Sequence, residues 1–319
     1  MSQSEIPIPA ISDIESAYTL VQKYANQTPV LTSRNVNEIL GCEVFLKCEN
    51  FQKVGAFKFR GAINAVFSLS EVEAAKGVCT HSSGNHAAAL ALAAKLRGIP
   101  SYIVMPENAP AIKRKAVEGY GAIITTSKST QADRENALAN VQKKTGATFI
   151  HPYSNFNVIC GQGTASLELL QEEPNLQAVL APVGGGGLFS GTLTYVKGFN
   201  TNIEVWGAEP ANADDAFRSL RDGVIYPSVN PNTIADGLRT SLAPITFEII
   251  SKKANGILTV TEEQIVDAMR LVWERMKIII EPSSAVPVAA IMANRKLFEG
   301  KKVGVIISGG NVDVENLPF

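Results

Sequence analysis

Ala178-Val179-Leu180-Ala181-Pro182-Val183-Gly184-Gly185-Gly186-Gly187-Leu188 decides how this chain folds. An apolar run of strand length breaks into four glycines and then enters a helical pattern. This is the signature of a buried parallel strand passing the chain to a helix at the carboxyl edge of a sheet. Glycine lets backbone N–H groups converge without side-chain obstruction, and a helix N-terminus adds positive potential. Gly184, Gly185, Gly186 and Gly187 therefore form a phosphate cup. A tight strand–helix turn alone would need fewer glycines. No Lys-Ser/Thr follows, so the loop is not a Walker A loop, and the GxGxxG spacing of a dinucleotide site is missing.

The same alternation extends outward in both directions. Short apolar runs bounded by Gly, Pro or Asn read as strands at 44–47, 77–81, 102–105, 123–126, 148–151, 178–183, 204–208 and 303–307. Helical patterns at 85–96, 111–118, 134–144 and 165–171 lie between them. Alternation of this kind implies an α/β chain with doubly wound parallel sheets. One sheet would not take all these strands tidily, so two lobes are expected. A small domain covers 77–153, and a large domain uses 1–68 and 154–319. No Pro/Ser-rich linker marks the joins.

Bulk properties narrow the function class. The chain has 319 residues, 45% of them hydrophobic and 18% charged, with a formal net charge of −1. That length supports a sizeable core, and the charge balance gives no footprint for nucleic acid or an anionic membrane. No apolar run reaches membrane-span length, and the first residues lack the pattern of a secretion signal. Cys42, Cys48, Cys79 and Cys160 are not spaced as CxxC. They read as buried free thiols in a reducing, cytoplasmic compartment.

Four further segments carry chemistry. Gly55-Ala56-Phe57-Lys58-Phe59-Arg60-Gly61 sets a lysine between two aromatics. An apolar setting disfavours the ammonium and makes the amine a better nucleophile and base, although a lysine lying along a surface helix would look similar. Ser82-Ser83-Gly84-Asn85-His86 falls where a strand ends and a helix begins, a place suited to gripping a carboxylate or simply to capping the helix. Ser308-Gly309-Gly310-Asn311 follows the last strand. Glu209, Ala213 and Asp215 follow another, and two carboxylates with a carbonyl suit Mg²⁺ or Ca²⁺ as well as they suit a capped, solvated helix. Ligands gather outside the carboxyl ends of strands in open α/β sheets, so the convergence of these clusters outweighs any one of them.

Taken in order, the Lys58 segment, the SSGNH run, the tetraglycine loop and the terminal SGGN resemble the fold-type II pyridoxal 5′-phosphate enzymes (tryptophan synthase β-like). Within them, the chain is similar to the serine racemase branch of the serine/threonine dehydratase family over nearly its whole length. The resemblance implies two domains with the cofactor between them and Lys58 as the Schiff-base lysine. It implies that Gly184 to Gly187 with Leu188 hold the phosphate, Asn85 the ring hydroxyl and Ser308 the pyridine nitrogen, while Phe57 packs on the ring. Ser82, Ser83 and His86 with the helix start would hold the substrate carboxylate, with Arg134 and Tyr153 nearby. Glu209, the Ala213 carbonyl and Asp215 match a divalent-cation site for Mg²⁺, Ca²⁺ or Mn²⁺. A homodimer is expected on the same ground, and a nucleotide effector is left open.

Two positions bear on the reaction. Bacterial threonine dehydratases usually read Ser-Ala-Gly-Asn-His, whereas this chain carries Ser83, the second acid/base that a racemase needs. Tyr153 stands where animal racemases have Asn and hydroxyaspartate dehydratases have Tyr. The expected activity is serine racemisation with dehydration of L-serine and L-threonine. The alternative is a threo-3-hydroxyaspartate or threonine dehydratase with little racemisation. A silent sensor of a phosphorylated metabolite is opposed by the intact Lys58, and a β-replacement synthase by the SSGNH run and the Glu209–Asp215 pattern. The chain ends soon after SGGN, so no regulatory domain of the kind found in biosynthetic threonine deaminases is expected.

Overall fold

The computed structural model describes residues 7–82, 84–109 and 111–319. Among these, ten strands form two sheets. They are β1 (Val30–Leu31), β2 (Glu43–Cys48), β3 (Val78–His81), β4 (Ser101–Pro106), β5 (Ile123–Ser127), β6 (Thr148–Phe149), β7 (Ala178–Pro182), β8 (Glu204–Pro210), β9 (Gly256–Val260) and β10 (Lys302–Ile307). The helices are α1 (Ile11–Val21), α2 (Arg34–Leu40), α3 (Lys58–Phe67), α4 (Glu71–Lys76), α5 (Asn85–Arg97), α6 (Ala111–Gly119), α7 (Gln131–Thr145), α8 (Phe156–Glu172), α9 (Gly187–Phe199), α10 (Asp215–Asp222), α11 (Pro244–Lys253), α12 (Glu262–Met276), α13 (Pro282–Ala293) and α14 (Arg295–Phe298).

The larger sheet runs β1-β2-β10-β7-β8-β9 and the smaller β5-β4-β3-β6. All pairings are parallel except β1 with β2. Both ends of the chain enter the larger sheet, because β10 lies between β2 and β7. Side chains alternate across each strand. Along β7, Ala178 and Leu180 face α12 and α13, whereas Val179 and Ala181 face α8 and α9. Val305 and Ile306 of β10 divide the same way. Burial on both faces explains why these strands read as unbroken apolar runs. In the smaller sheet Val78 and Ile103 pack toward α5, and Cys79 and Val104 toward α7.

The chain thus has two mainly parallel-sheet domains, as the resemblance implies. Helix α3 sits between them, packing on both α5 and α8. Glycines permit the closest approaches. A Cβ on Gly161 of α8 would lie 2.4 Å from the Arg60 carbonyl oxygen on α3, and one on Gly191 of α9 would lie 2.6 Å from the Gly163 nitrogen. Helix α8 is therefore the post against which the helix opening at Lys58 and the helix opening at Gly187 are both set.

A charged cluster lies beneath α3. Lys47, Glu49, Arg60 and Glu168 are buried together. Arg60 bonds Glu49 at 2.7 Å and Glu168 at 2.7 Å, and Lys47 reaches Glu168 at 2.7 Å. Two cations meet two carboxylates, which is the condition under which buried charge is tolerable.

Candidate active site

Lys58 opens α3, and the backbone before it is tied to the chain after β10. Phe57 N donates to Ser308 O at 2.9 Å and Gly310 N to Gly55 O at 2.9 Å, with a bridge between Ala56 and Gly309. The two motifs lie 250 residues apart (308 − 58) and are adjacent in space. Lys58 Nζ donates to Pro152 O at 2.9 Å and stands 5.0 Å from the centre of the Phe57 ring. Burial lowers its pKa to about 8, with the Glu281 carboxylate opposing. A neutral amine is thus accessible near physiological pH.

Across from Lys58, α5 begins at Asn85. Asn85 Nδ2 donates to both carboxylate oxygens of Glu281 at 3.2 Å, and Asn311 Nδ2 donates to Asn85 Oδ1 at 2.9 Å. Glu281 is buried, and burial pushes its pKa up to about 7, aided by Asp236. Ser82 Oγ accepts from Gly84 N at 3.3 Å. Ser83 lies outside the described residues.

His86, expected near the substrate, lies one residue into α5. Its ring is buried and its Nε2 meets the Ile150 carbonyl at 3.0 Å. A carbonyl only accepts, so the neutral ring carries its proton on Nε2. Burial, with Lys58 and the other histidines adding, lowers its pKa to about 3. The side chain pins α5 to the end of the smaller sheet. His151 also stays neutral, lowered to about 4 chiefly by burial. Its Nδ1 accepts from Tyr153 N at 3.3 Å and Ser154 N at 2.9 Å, which fixes the turn carrying Tyr153.

The tetraglycine loop joins β7 to α9, with Gly186 in the left-handed region at φ 83°. Any side chain here would collide. A Cβ on Gly184 would lie 2.9 Å from Gly237 O, and one on Gly185 2.4 Å from the Tyr153 ring. Helix α9 spans 13 residues, so its first N–H groups and dipole face this loop. A glycine-lined turn at a helix N-terminus fits a phosphate group, and Leu188 is buried just inside the helix.

Ser308 Oγ lies 3.0 Å from Ser284 Oγ. Ser284 gives its one proton to Gly309 O at 2.7 Å, which makes Ser308 the donor in the serine pair. No carboxylate bonds Ser308 among the described residues. Arg134 is on α7, bonded to Gln131 Oε1 at 2.7 Å, and its charge lowers the pKa of His81 beyond the effect of burial.

The Glu209–Asp215 segment forms a separate cluster after β8. Glu209 accepts from Ala216 N at 3.0 Å and Phe217 N at 2.9 Å, so it caps α10. Burial raises the pKa of Glu209 well above the usual carboxylate range and that of Asp215 to about 6. Neither oxygen of Asp215 has a hydrogen bond of normal geometry, although Ser228 lies near enough to favour its charged form. Among the described residues no three His, Cys, Asp or Glu side chains gather as a metal site. Two buried acids and the buried Ala213 beside them nevertheless fit a divalent cation completed by a carbonyl.

Sequence reasoning missed Glu281 and Ser284. Glu281 carried a signal: an acid closing the apolar run Ile278-Ile279-Ile280 just before Pro282, the mark of a helix N-cap with proline at the first helical position. Thr240, whose hydroxyl opposes the burial-driven rise in the Tyr153 pKa, was also missed.

Comparison with known proteins agrees with this geometry. The family model described as "Pyridoxal-phosphate dependent enzyme" matches residues 21–309. Serine racemase of Dictyostelium discoideum is 51% identical over 311 residues, covering 96% of each chain. The beta-hydroxyaspartate dehydratase of Paracoccus denitrificans is 47% identical, covering 98% of this chain and 99% of the other. The crystal structure of the Dictyostelium serine racemase superposes with a TM-score of 0.92, covering 96% of this chain and 99% of that one. With a desolvated lysine at the start of one helix, a glycine-lined start to another, and a family match over residues 21–309, the chain belongs to the pyridoxal-phosphate dependent enzymes.

Proposed function

We propose that the chain is a serine racemase that also dehydrates L-serine and L-threonine. The observation that carries this reading is the full-length likeness to serine racemase combined with the half-buried Lys58 amine, whose pKa desolvation lowers to about 8. Pyridoxal phosphate, when bound, supplies an electron sink that makes the substrate Cα proton acidic. In this reading Gly184–Gly187 and Leu188 would hold the cofactor phosphate, Asn85 its ring hydroxyl and Ser308 its pyridine nitrogen, with Phe57 packing on the ring. Ser82 and the N-terminus of α5 hold the substrate carboxylate, with Arg134 and Tyr153 flanking it. Lys58, partly neutral near pH 8, takes the Cα proton from one face. Ser83 returns a proton from the other face and inverts the centre. Loss of the β-hydroxyl as water instead gives an enamine, and water then hydrolyses its imine tautomer to a 2-oxo acid and ammonia.

The proposal extends to the assembly. Glu209, the Ala213 carbonyl and Asp215 hold Mg²⁺ or another divalent cation. The division into 1–68 with 154–319, and 77–153, puts the cofactor between the domains. The exposed Phe51 and Ile279, on segments joined by Asn50 Nδ2 to Ile279 O at 3.1 Å, support a homodimer. Four free, buried thiols support a reducing, cytoplasmic setting. No helix among the described residues is long and apolar enough to cross a membrane.

A second reading, dehydration of 3-hydroxyaspartate, is favoured by Tyr153 and by the Paracoccus relative. One experiment separates them. Purified protein is given L-serine, L-threonine and threo-3-hydroxyaspartate, with and without Mg²⁺, while keto acid and enantiomer are followed together. D-Serine with pyruvate supports the first reading. Oxaloacetate alone refutes it in favour of the second.

A further inference from the structure

Gln162 is fully buried on α8, at the level where α3 and α9 both touch that helix. A Cβ on Gly61 of α3 would fall 3.0 Å from its Cγ, and a Cβ on Gly187 of α9 2.9 Å from its Oε1. The amide therefore lies directly beneath the tetraglycine loop, on the side of the helix that opens with Lys58. Tyr153 closes over it, with Cβ 2.8 Å from the same Gly187 position.

Neither Nε2 nor Oε1 of Gln162 has a hydrogen-bond partner. A buried polar group left unpaired costs about 1–3 kcal/mol, so native interiors hold few of them. Among the described residues, one other side chain has both polar atoms buried and unpartnered: Asp215, at the proposed cation site. Gln162 stands in the same relation to the glycine loop. A half-turn about its last side-chain bond exchanges its oxygen and nitrogen, which brings the donors beneath Gly187. Neither atom reaches the protein surface.

We infer that Gln162 is a positioning residue for the cofactor phosphate: its amide turns its donor end to the loop and favours a dianion at the start of α9. This rests on the reading of Gly184–Gly187 as the phosphate site. The amide adds to the helix dipole from below, where the low dielectric makes a fixed dipole count for more.

The test compares two probes that differ only in the phosphate. Full-length holoenzyme is stripped and reloaded with pyridoxal 5′-phosphate or with pyridoxal, and binding is followed by absorbance and fluorescence. Gln162→Met should weaken pyridoxal phosphate at least about tenfold, the scale of one hydrogen bond to a charged group. It should leave pyridoxal binding unchanged, and the stripped variant should melt no lower than the parent because an unpaired amide is gone. The isosteric Gln162→Glu, which sets a negative charge under the loop, should weaken pyridoxal phosphate further, and it carries the comparison if Gln162→Met does not fold. Equal losses for both probes, or no loss for either, would overturn the inference. A parent protein that held both probes equally would overturn the loop reading itself, and the inference with it.

Discussion

Asn85 Nδ2 lies 3.2 Å from each carboxylate oxygen of Glu281, so the first residue of α5 is tied to the N-cap of α13 across the cleft. Burial raises the Glu281 pKa to about 7, and its charge supports the ammonium form of Lys58. Above about pH 7 the carboxylate is charged and holds the Lys58 pKa up; below it that support fades. Glu281→Gln should therefore remove an inflection near pH 7 from the kcat/KM profile and lower the pKa that governs Lys58. Stability follows a definite sign. A carboxyl whose folded pKa is raised stabilises the fold in its protonated form, fully so below the ordinary value of 4.5, and this is lost as pH rises through about 7. Glu281→Gln should melt above the parent at pH 8 and close to it at pH 5. A gap that is equal at both pH values, read by calorimetry, would count against the assignment.

Lys58→Ala should eliminate turnover and the pyridoxyl label that borohydride fixes on the native protein. The amine has one protein acceptor, Pro152 O at 2.9 Å, and no second lysine approaches the loop among the described bonds. Mass spectrometry of the peptide containing residue 58 reads the outcome. Label at another lysine, or activity close to that of the parent, would sink the assignment.

The acids after β8 give a prediction about metal removal. Burial raises Glu209 well above the usual carboxylate range and lifts Asp215 to about 6, so the charged form of each strains the fold unless a cation answers it, and Asp215 is in that form at neutral pH. Mg²⁺ or Ca²⁺ should raise the melting temperature of the parent, and chelation should reverse the rise. Asp215→Asn should abolish the response and, without added metal at pH 8, melt above the parent. A variant with the same cation response would place the ion elsewhere.

Ser83→Ala should suppress D-serine formation far more than pyruvate formation from L-serine. Deamination needs one base, which Lys58 supplies, whereas inversion needs a donor on the opposite face. Both rates come from one chiral chromatography and keto-acid assay. Parallel losses would show that Ser83 serves binding and not proton return.

Sequence periodicity located the strands that matter because parallel strands buried on both faces are apolar throughout, as in Ala178–Pro182. It passed over Val30–Leu31, two residues long, and Gly256–Val260, which is only partly buried at the sheet edge. The glycine loop and Lys58 were legible because their chemistry is local: a backbone nest and an amine among aromatics. Glu281 was not, since its role comes from Asn85, 196 residues away. Residues 58–67 fall in the segment expected in the large domain, and no local pattern signals that Phe59, Ile63 and Val66 of α3 pack with the core of the smaller sheet. The partners of Arg60 were equally hidden, at separations of 11 and 108 residues.

Arg60 supplies the last prediction. Burial opposes its charge, but Glu49 and then Glu168 outweigh that and hold the guanidinium protonated. Its Nε meets Glu49 at 2.7 Å, and Nη1 and Nη2 meet Glu168 at 2.8 and 2.7 Å. Removing the guanidinium leaves the buried Glu49 carboxylate with only the Thr28 hydroxyl and leaves Glu168 with Lys47. Arg60→Met should therefore cost about 3–5 kcal/mol, the range for breaking a buried pair from one side. Adding Glu49→Gln restores the charge balance to one cation and one anion, so the double variant should recover part of the loss. Urea denaturation of the three proteins measures both quantities. A single-variant loss below about 1 kcal/mol, the level of an exposed pair, would mean that water reaches the cluster and that α3 is held by its apolar face alone.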